Sequence, residues 1–508
     1  MREPTEDTKR IAKNTMMLYI RMLLIMIVSL YTTRVVLNVL GANDYGIYNL
    51  VGGVVGLMGM VTSLLSQGTS RFITIALGKN DKEELRNTFS ASMSIHFALA
   101  IFILLIGEII GPWVINGLNI EPNRMEAAHF VFQLSLLSSI IGVIQIPYHA
   151  VIVAHERMKI FVYVSLWDAI AKLLVVYILL VVNIDKLKLF SFLYFITGII
   201  SALFYYIYCR KKFSEYFPLA LFVDSKLYKM IVSYVGWNAI GACAYTMNGQ
   251  GITVLLNVFG TSVNAARGIA NSISGVIHNF VGNFLTASKP QIMKLCAVND
   301  YARMNSLIMN TSKYSAYLMG LIGIPLFLEM DYILEVWLVN VPEYTVTFAR
   351  LALIQGLIQT IDYPIGTGIH AIGKMKLPNL TSSFIYMIIL PVSYIAIKLG
   401  ASPDFVYIMT ICIYPLAFIM DLYILKLYAD FPVLKFLFIV VFRVFFFILV
   451  TAVMVKYFVQ IYFEQKNIEL FIITILLSSV CLIVLVYMGG ITNGERKILN
   501  NWIKQKIC

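Results

Sequence analysis

Three arginines lie inside stretches of sequence that are otherwise apolar enough to cross a membrane. Arg34 stands seven residues before a glycine, Arg267 seven residues after one, and Arg350 eight residues after a proline. A helix rises about 1.5 Å per residue, so all three should lie roughly 10 Å below the turns at the outer ends of their helices. A charged side chain deep in a bilayer costs about 2.5–3.5 kcal/mol, so each arginine needs a function or a partner.

Phosphate is the ligand that these three arginines suit best. A guanidinium group is a planar fork that holds phosphate oxygens through two parallel hydrogen bonds. Three such groups at one depth predict a binding site for a pyrophosphate. The alternative is that the long side chains extend to the outer lipid headgroups, which a depth of roughly 10 Å allows. The spacing alone leaves both interpretations open.

Polar residues repeat at helical spacing on three predicted spans. One stripe would be explained by hydrogen bonds between helices, but three together favour a water-filled central cavity. Neutral amides in such a cavity suit sugar hydroxyls better than a hydrophobic drug. The stripes are Thr246, Gln250, Thr253 and Asn257 on span 7, Arg267, Asn271, Ser274 and His278 on span 8, and Gln355, Gln359, Asp362 and Gly366 on span 10. Gln250, Asn257, Asn271 and His278 are the neutral residues that we expect to bind substrate.

The carboxylates of Asp362 and Asp168 lie within predicted spans. Asp362 is the candidate for coupling transport to a proton or a sodium ion, and the alternative is a carboxylate paired with a nearby arginine. Asp168 and Lys172 are four residues apart on span 5, a spacing that predicts a structural ion pair on one helix face. A gating role for this pair is the other interpretation.

Three more cations lie toward the predicted inner ends of spans. Lys313, in the inner third of span 9, is expected to hold the headgroup of the substrate at the cytoplasmic entrance, or else to extend inward to the lipid headgroups. Arg71 and Lys289 end spans 2 and 8 at matching places. We expect both to anchor lipid headgroups at the cytoplasmic mouth.

The composition predicts an all-α protein that crosses the membrane many times. The chain has 508 residues, of which 59% are hydrophobic and 13% charged, and its mean hydropathy is +0.81. A soluble domain of this size carries about a quarter charged residues. Apolar runs of 18 or more residues recur from end to end, and each can cross a core of about 30 Å as a helix. We predict about 14 transmembrane helices.

Lysines and arginines concentrate in alternate loops, which predicts the orientation. The basic segment 1–13 lacks the features of a signal peptide, and its side of the membrane carries most of the positive charge. Both termini are therefore expected in the cytoplasm. The net charge of +12 follows from this topology and does not indicate a nucleic-acid partner.

The segment around Gly41 recurs in the second half of the chain. Residues 35–41 and 254–260 match at five of seven positions, and each copy ends at a glycine before another apolar run. Matching helical hairpins predict two pseudo-symmetric six-helix lobes with two extra C-terminal helices. The predicted divisions are 1–229 for the N-terminal lobe, 230–428 for the C-terminal lobe, and 429–508 for spans 13 and 14 with a basic cytoplasmic tail.

Several short motifs carry a family resemblance. They are Arg34 with Leu40-Gly41 and Tyr45-Gly46-Ile47-Tyr48, Gly78-Lys79-Asn80-Asp81, His155-Glu156-Arg157, and Trp337-Leu338 with Val341-Pro342-Glu343-Tyr344. In these, the chain resembles polysaccharide exporters of the Wzx or O-antigen flippase type, in the multidrug/oligosaccharidyl-lipid/polysaccharide (MOP) superfamily. Drug-exporting relatives carry an acidic residue in the first helix, where this chain has Arg34.

The resemblance implies a flippase of the bacterial inner membrane. Its substrate would be an undecaprenyl-pyrophosphate-linked oligosaccharide, such as an O-antigen or capsule repeat unit, moved to the outer leaflet by alternating access. The implied partners are this lipid-linked glycan, membrane lipids, and a glycan polymerase with its chain-length machinery. Two other classes stay open: a cation-coupled multidrug or metabolite antiporter, and a membrane glycan polymerase or ligase.

The sequence offers little for an enzyme or a bound cofactor. The six cysteines are scattered without metal-ligand spacing. No hydrolase or ATPase motif occurs in a suitable context. We therefore expect no catalytic residues, no metal and no cofactor. The energy would come from an ion gradient, such as one of protons or sodium ions, from the membrane potential or from the supply of substrate.

Overall fold

The computed structural model describes residues 6–58, 62–78, 81–155, 157, 159–182, 184–217, 225–373, 376–462, 467–491 and 494–496. Every regular element in these ranges is a helix, as the composition predicts. The helices are α1 Glu6–Met58, α2 Thr62–Gly78, α3 Lys82–Asn116, α4 Met125–Ala154, α5 Lys159–Val181, α6 Lys186–Lys212, α7 Ser225–Leu256, α8 Thr261–Ala297, α9 Tyr301–Leu328, α10 Met330–Trp337, α11 Thr345–Ile372, α12 Lys376–Lys398, α13 Phe405–Ala429, α14 Val433–Phe436, α15 Arg443–Tyr462 and α16 Ile468–Leu485.

The membrane-spanning helices agree with the prediction of about 14. Among the described residues, nine helical stretches are long and apolar enough to cross a membrane, and α9 with α10, bent by 75°, makes a tenth. The other long helices are α2, with 17 residues, and α7, α8 and α11, whose polar stripes lower their hydropathy. These four bring the total to the predicted number.

The sequence repeat is confirmed in the backbone. Gly41 has φ 78° and ψ 169°, and Gly260 has φ 103° and ψ 167°. This region of conformational space is essentially restricted to glycine, because a Cβ atom would clash there. Both copies of the repeat therefore end in the same kind of helix break.

The helical structure after the Gly41 break extends further than predicted. The sequence predicted a single span from residue 48 to residue 71. In the structure the second arm of α1 (residues 42–58) and α2 cover this stretch, with residues 59–61 outside the described part, and α2 ends at Gly78. The second arm packs into unit 1: Leu50 and Val51 are fully buried.

The chain divides into two compact units. Unit 1 comprises Met1–Gly268 and Tyr386–Leu399, and unit 2 comprises Ile269–Ile385 and Gly400–Cys508. This differs from the predicted boundary at residue 229, because α7 packs against α1, α2 and α3. Spans 13 and 14, predicted as a separate segment, belong to unit 2, because α15 and α16 pack against α9. The predicted basic tail beyond residue 496 lies outside the described residues.

One end of unit 1 is held together by Arg124. Its guanidinium donates to Asp44 on α1 at 2.5 and 2.8 Å and to Asp185 at 2.8 Å. Asp185 also caps α6, accepting from the backbone N–H groups of Leu187 and Lys188. Arg124, Asp44 and Asp185 thus meet at one end of unit 1, which the sequence predicts to lie outside. We call it the turn end.

The opposite end of unit 1 is closed by an aromatic cluster. Tyr216 is fully buried, and its ring centroid lies 5.3 Å from that of Phe89. His155, just after α4, stacks on Phe213 at 4.2 Å and hydrogen-bonds Tyr216 at 3.0 Å. Burial lowers the pKa of His155 and the charge of Arg157 lowers it further, while the carboxylate of Glu215, 3.9 Å away, opposes them. His155 is therefore mainly neutral at pH 7.

Candidate functional site

A small cavity of about 160 Å³ lies within unit 1, between α1, α5 and α6. The first arm of α1 (residues 6–40) lines it with side chains at helical spacing. Lys172 lines it from α5, with its ammonium nitrogen 5.7 Å from the centroid of the Tyr194 ring on α6. The lining residues are Ser29, Thr32, Thr33, Val36, Tyr45, Tyr48, Lys172, Val175, Val176, Phe190 and Tyr194. One cation, several hydroxyl groups and no carboxylate make this an anion-favouring environment.

The predicted ion pair between Asp168 and Lys172 is not formed. Asp168 accepts a hydrogen bond from Ser201 on α6, whereas Lys172 extends to Tyr194. The i,i+4 spacing permits a pair on an isolated helix, but α6 offers each side chain a different partner. Lys172 therefore has no carboxylate within 4.0 Å among the described residues.

Arg34 lies on a different face of α1. It is exposed, as are Tyr31 and Asn38, which lie three residues before it and four after it. No carboxylate in the described part of the chain forms an ion pair with it. Arg34 is thus an accessible cation within a membrane helix. Binding of a substrate phosphate requires this exposure, and so does contact with a lipid headgroup.

Arg267 is hydrogen-bonded to other residues of unit 1. Its side chain is buried, with Nε donating to Thr253 Oγ1 at 2.9 Å and Nη2 donating to the Gly249 carbonyl at 2.8 Å. These bonds join α8 to α7 and account for the buried charge without a substrate. The structure therefore does not present Arg34 and Arg267 as equivalent ligands.

The polar stripe of α7 is also used for packing. The side chain of Gln250 packs against Gly53 and Gly56 of α1. Asn257 is buried and exchanges hydrogen bonds with the backbone of Asn119, at 2.7 and 3.2 Å. Packing and hydrogen bonds within the protein therefore account for Gln250 and Asn257 without a substrate.

Unit 2 contains a buried lysine that, unlike Lys172, is paired with a carboxylate. Lys313 on α9 is 2% exposed and donates to both carboxylate oxygens of Glu495, at 2.6 and 2.8 Å. Glu495 lies in the segment 494–496, which follows the π-helical turn Val486–Gly490. The position predicted to hold a substrate headgroup is thus occupied by a carboxylate of the same chain.

Arg350 is likewise paired. It donates to Asp331 on α10 at 2.9 Å and to the Phe327 carbonyl on α9 at 3.0 Å. The bend between α9 and α10 places these acceptors beside α11. Protein groups thus account for this predicted phosphate ligand as well.

Asp362 on α11 and Asp421 on α13 are carboxylates on two helices that pack against each other. Each has one buried carboxylate oxygen that accepts no hydrogen bond from a described residue. Carboxylates on neighbouring membrane helices repel each other unless a proton or cation lies with them.

The other predicted site residues have no ion pair within the described ranges that explains their position. Asn271 and Lys289 are exposed, and His278 lies against Gly356. The side chain of Arg71 is outside the described part of the chain. No group of three or more metal-ligating side chains occurs among the residues described.

Unit 2 also contains an apolar cavity of about 260 Å³ between α9, α11 and α15. Met319 and Gly323 line it from α9, Leu353 from α11, and Phe445 and Ile448 from α15. An apolar cavity of this kind suits a hydrocarbon chain and offers nothing to a charged group.

Two site residues were missed in the sequence. Asp421 lies in an apolar span, so the cost of placing a charge in a membrane would have identified it, as it did Asp362. Glu495 lies in a short polar segment after the last span, where nothing local distinguishes it. Only its contact with Lys313 shows its role.

The helices have the same fold as solved transporters of the MOP superfamily. Residues 18–178 match the family MatE. No curated protein matches the sequence significantly.

Three solved structures illustrate the shared fold. The chain is similar to the lipid II flippase MurJ in an inward closed conformation, with a TM-score of 0.69 and 13% identity over 94% of this chain and 98% of that one. It is similar to an inward-facing multidrug resistance MATE transporter, with a TM-score of 0.66 and 14% identity over 78% and 92% of the two chains. It is also similar to a MOP-superfamily transporter from Pyrococcus furiosus, whose pocket of reverse polarity suggests a different function; the TM-score is 0.57, with 15% identity over 84% and 96%.

Proposed function

We propose that this protein moves a lipid-linked glycan, joined to its lipid by phosphate or pyrophosphate, between the leaflets of a bacterial inner membrane. The undecaprenyl-linked repeat unit of an O-antigen or capsule is the expected substrate. Both termini would lie in the cytoplasm, with the turn end of unit 1 outside. The observation that supports this most directly is the distribution of unpaired charge.

Unit 1 favours an anion. Arg34 and Lys172 lack carboxylate partners among the described residues, while the acids near them are engaged: Asp44 by Arg124 and Asp168 by Ser201. Opposite charges attract and like charges repel most strongly where water is scarce. An exported organic cation would meet repulsion here, whereas a pyrophosphate would be attracted.

Unit 2 supplies what the lipid and the energy source would need. Its apolar cavity has the chemistry of a site for part of a prenyl chain. Asp362 and Asp421 are the groups we assign to binding the coupling proton or sodium ion. The fold shared with the MurJ flippase is consistent with a lipid-linked substrate.

The second candidate is a cation-coupled exporter of amphipathic organic cations. The same two features favour it, because a carboxylate pair attracts a cation and the apolar cavity holds its hydrophobic part. The first arm of α1 argues against this candidate, because its charged residues between positions 14 and 40 are Arg21 and Arg34 and no acid lies there. Substrate charge is therefore the property that separates the two candidates.

Purified full-length protein in liposomes provides the test. We expect it to accelerate the appearance of an undecaprenyl-pyrophosphate-linked oligosaccharide on the far leaflet, detected by an impermeant glycosidase, when a proton or sodium gradient is imposed. Empty liposomes and an Asp362→Asn variant are the controls. Gradient-driven ethidium movement without glycan transfer would replace the proposal with the second candidate.

A further inference from the structure

The cavity between α1, α5 and α6 of unit 1 contains the ammonium group of Lys172 without an acceptor. An ammonium carries three N–H donors, and in the described part of the chain no oxygen accepts from any of them. A half-buried cation without a partner is costly in a membrane protein, where few waters replace the missing bonds. The presence of this lysine in the cavity therefore points to a ligand.

The surroundings of Lys172 specify the charge of that ligand. The nearest acid on its own helix, Asp168, is held by Ser201 on α6, and none of the lining residues is acidic. Thr33 and Ser29 offer hydroxyl groups with no side-chain partner among the described residues. A cation with hydroxyl donors around it is the usual composition of a site for an oxyanion.

The walls of the cavity limit the size of the ligand. Tyr48 packs edge-on against Phe190 at 4.8 Å and against Tyr194 at 6.3 Å, which closes the α6 side. Val36 and Val176 close the sides toward α1 and α5. About 160 Å³ accommodates one tetrahedral anionic group but not an oligosaccharide.

We infer that this cavity is a subsite for a single phosphate group, with Lys172 as its cation and Thr33 as a hydroxyl donor. The inference rests on the proposed function and deepens it: the subsite would take one phosphate of the lipid-linked substrate, away from the face of α1 that carries Arg34. The same chemistry would also admit free inorganic phosphate or pyrophosphate. The two sources are separated by whether a prenyl chain adds to the affinity.

Binding to the full-length protein in nanodiscs of zwitterionic lipid tests the inference. The probes are farnesyl pyrophosphate, inorganic pyrophosphate and uncharged farnesol, with affinity measured by calorimetry. We expect Lys172→Met to weaken farnesyl pyrophosphate binding by about ten- to hundredfold, because one charge-assisted hydrogen bond is lost. Lys172→Arg should retain binding, and Thr33→Val should weaken it less.

The chain provides a closely matched control. Lys398 in unit 1 lies over the ring of Tyr394 at 5.7 Å, the same distance as Lys172 over Tyr194, but it is exposed and lines no cavity. Lys398→Met should leave all affinities unchanged. An unfolding temperature for each variant, measured in the same nanodiscs, separates lost binding from lost structure.

The outcomes decide both the site and the source of the phosphate. Stronger binding of farnesyl pyrophosphate than of inorganic pyrophosphate identifies the lipid-linked source, and equal binding identifies a free anion. Unchanged affinity for farnesyl pyrophosphate in Lys172→Met, or equal affinity for farnesol, overturns the subsite.

The failure of the subsite and the failure of the proposed function can be told apart. If the subsite binds phosphate but no glycan is transferred in liposomes, only the proposed function fails. If Lys172→Met transfers glycan at the wild-type rate and affinity, only the subsite fails.

Discussion

The two units differ in which of their membrane charges have a partner. In unit 1 the acids Asp44 and Asp168 have donors, while the cations Arg34 and Lys172 have no carboxylate partner among the described residues. In unit 2 two of the membrane cations are paired, Lys313 with Glu495 and Arg350 with Asp331. Asp362 and Asp421 there each retain a buried oxygen without a donor.

The contrast shows that residue type and depth do not identify a ligand-binding cation. Lys172 and Lys313 are both lysines inside membrane helices, yet one lines a cavity and the other is neutralised by its own chain. The groups without a described partner therefore differ between these two sets of residues: they are the cations Arg34 and Lys172 in unit 1 and the acids Asp362 and Asp421 in unit 2. An anionic substrate and a cationic coupling ion would each find one unit suited to them.

The two lysines should differ most in stability. Glu495→Gln leaves the ammonium of Lys313 buried without its counter-ion, and breaking a buried pair costs about 3–5 kcal/mol. Lys172→Met should cost far less, since no pair is broken. Thermal unfolding in detergent compares them. A Lys313→Met, Glu495→Met double variant should recover much of the loss, and a Glu495→Gln protein as stable as wild type would remove the contrast.

The unpaired acids of unit 2 should matter for transport and not for folding. Asp362→Asn is expected to abolish most gradient-driven movement of substrate at normal protein abundance, because the amide cannot take up a coupling proton. Asp421→Asn should have the same effect, since the two carboxylates form one site. Transport in liposomes with and without a gradient measures this. Reduced abundance with normal coupling in the surviving protein would instead indicate a structural pair.

Arg34 and Arg267 provide a smaller contrast. Arg267→Lys should lower the unfolding temperature by the loss of one or both bonds to α7, each worth about 1.5–3 kcal/mol for a charged donor. Arg34→Lys should leave stability unchanged and reduce transport partially, because lysine lacks the planar fork. A fully active Arg34→Lys variant would assign Arg34 to lipid headgroups, where lysine serves equally well.

The smallest expected effect is the pH dependence of His155, outside the membrane-spanning segments. Burial lowers its pKa in the folded state below the value of about 6.5 for an unfolded chain. Its contribution to stability is therefore complete above pH ~6.5 and is lost as the pH falls, because the unfolded chain then binds the proton more readily. Unfolding temperatures from pH 8 to pH 5 should show a steeper loss in wild type than in His155→Gln. Parallel curves would mean that His155 is equally protonated in both states.

The features that sequence predicted well depend on local chemistry. Gly41 and Gly260 were identified as turns by repetition, and their backbone angles require glycine. The number of membrane helices followed from apolar length.

The features that sequence missed depend on partners distant in the chain. The spacing of Asp168 and Lys172 predicts an ion pair, and only the positions of Ser201 and Tyr194 on α6 show that each side chain has another contact. Lys313 could not be recognised as neutralised, because Glu495 is separated from it by 182 positions. Pairing in a membrane is decided by helix rotation, which hydropathy does not determine.

The separation of Lys313 from Glu495 has a consequence for biosynthesis. A ribosome adds about 5–20 residues per second, so the lysine enters the membrane roughly 10–40 s before its counter-ion is made. During that interval the ammonium must remain near the headgroups or in water at the insertion machinery. Helix α9 can then settle to its final depth only when the C-terminal segment arrives, and chains that end before Glu495 should be recognised by membrane proteases as unfinished.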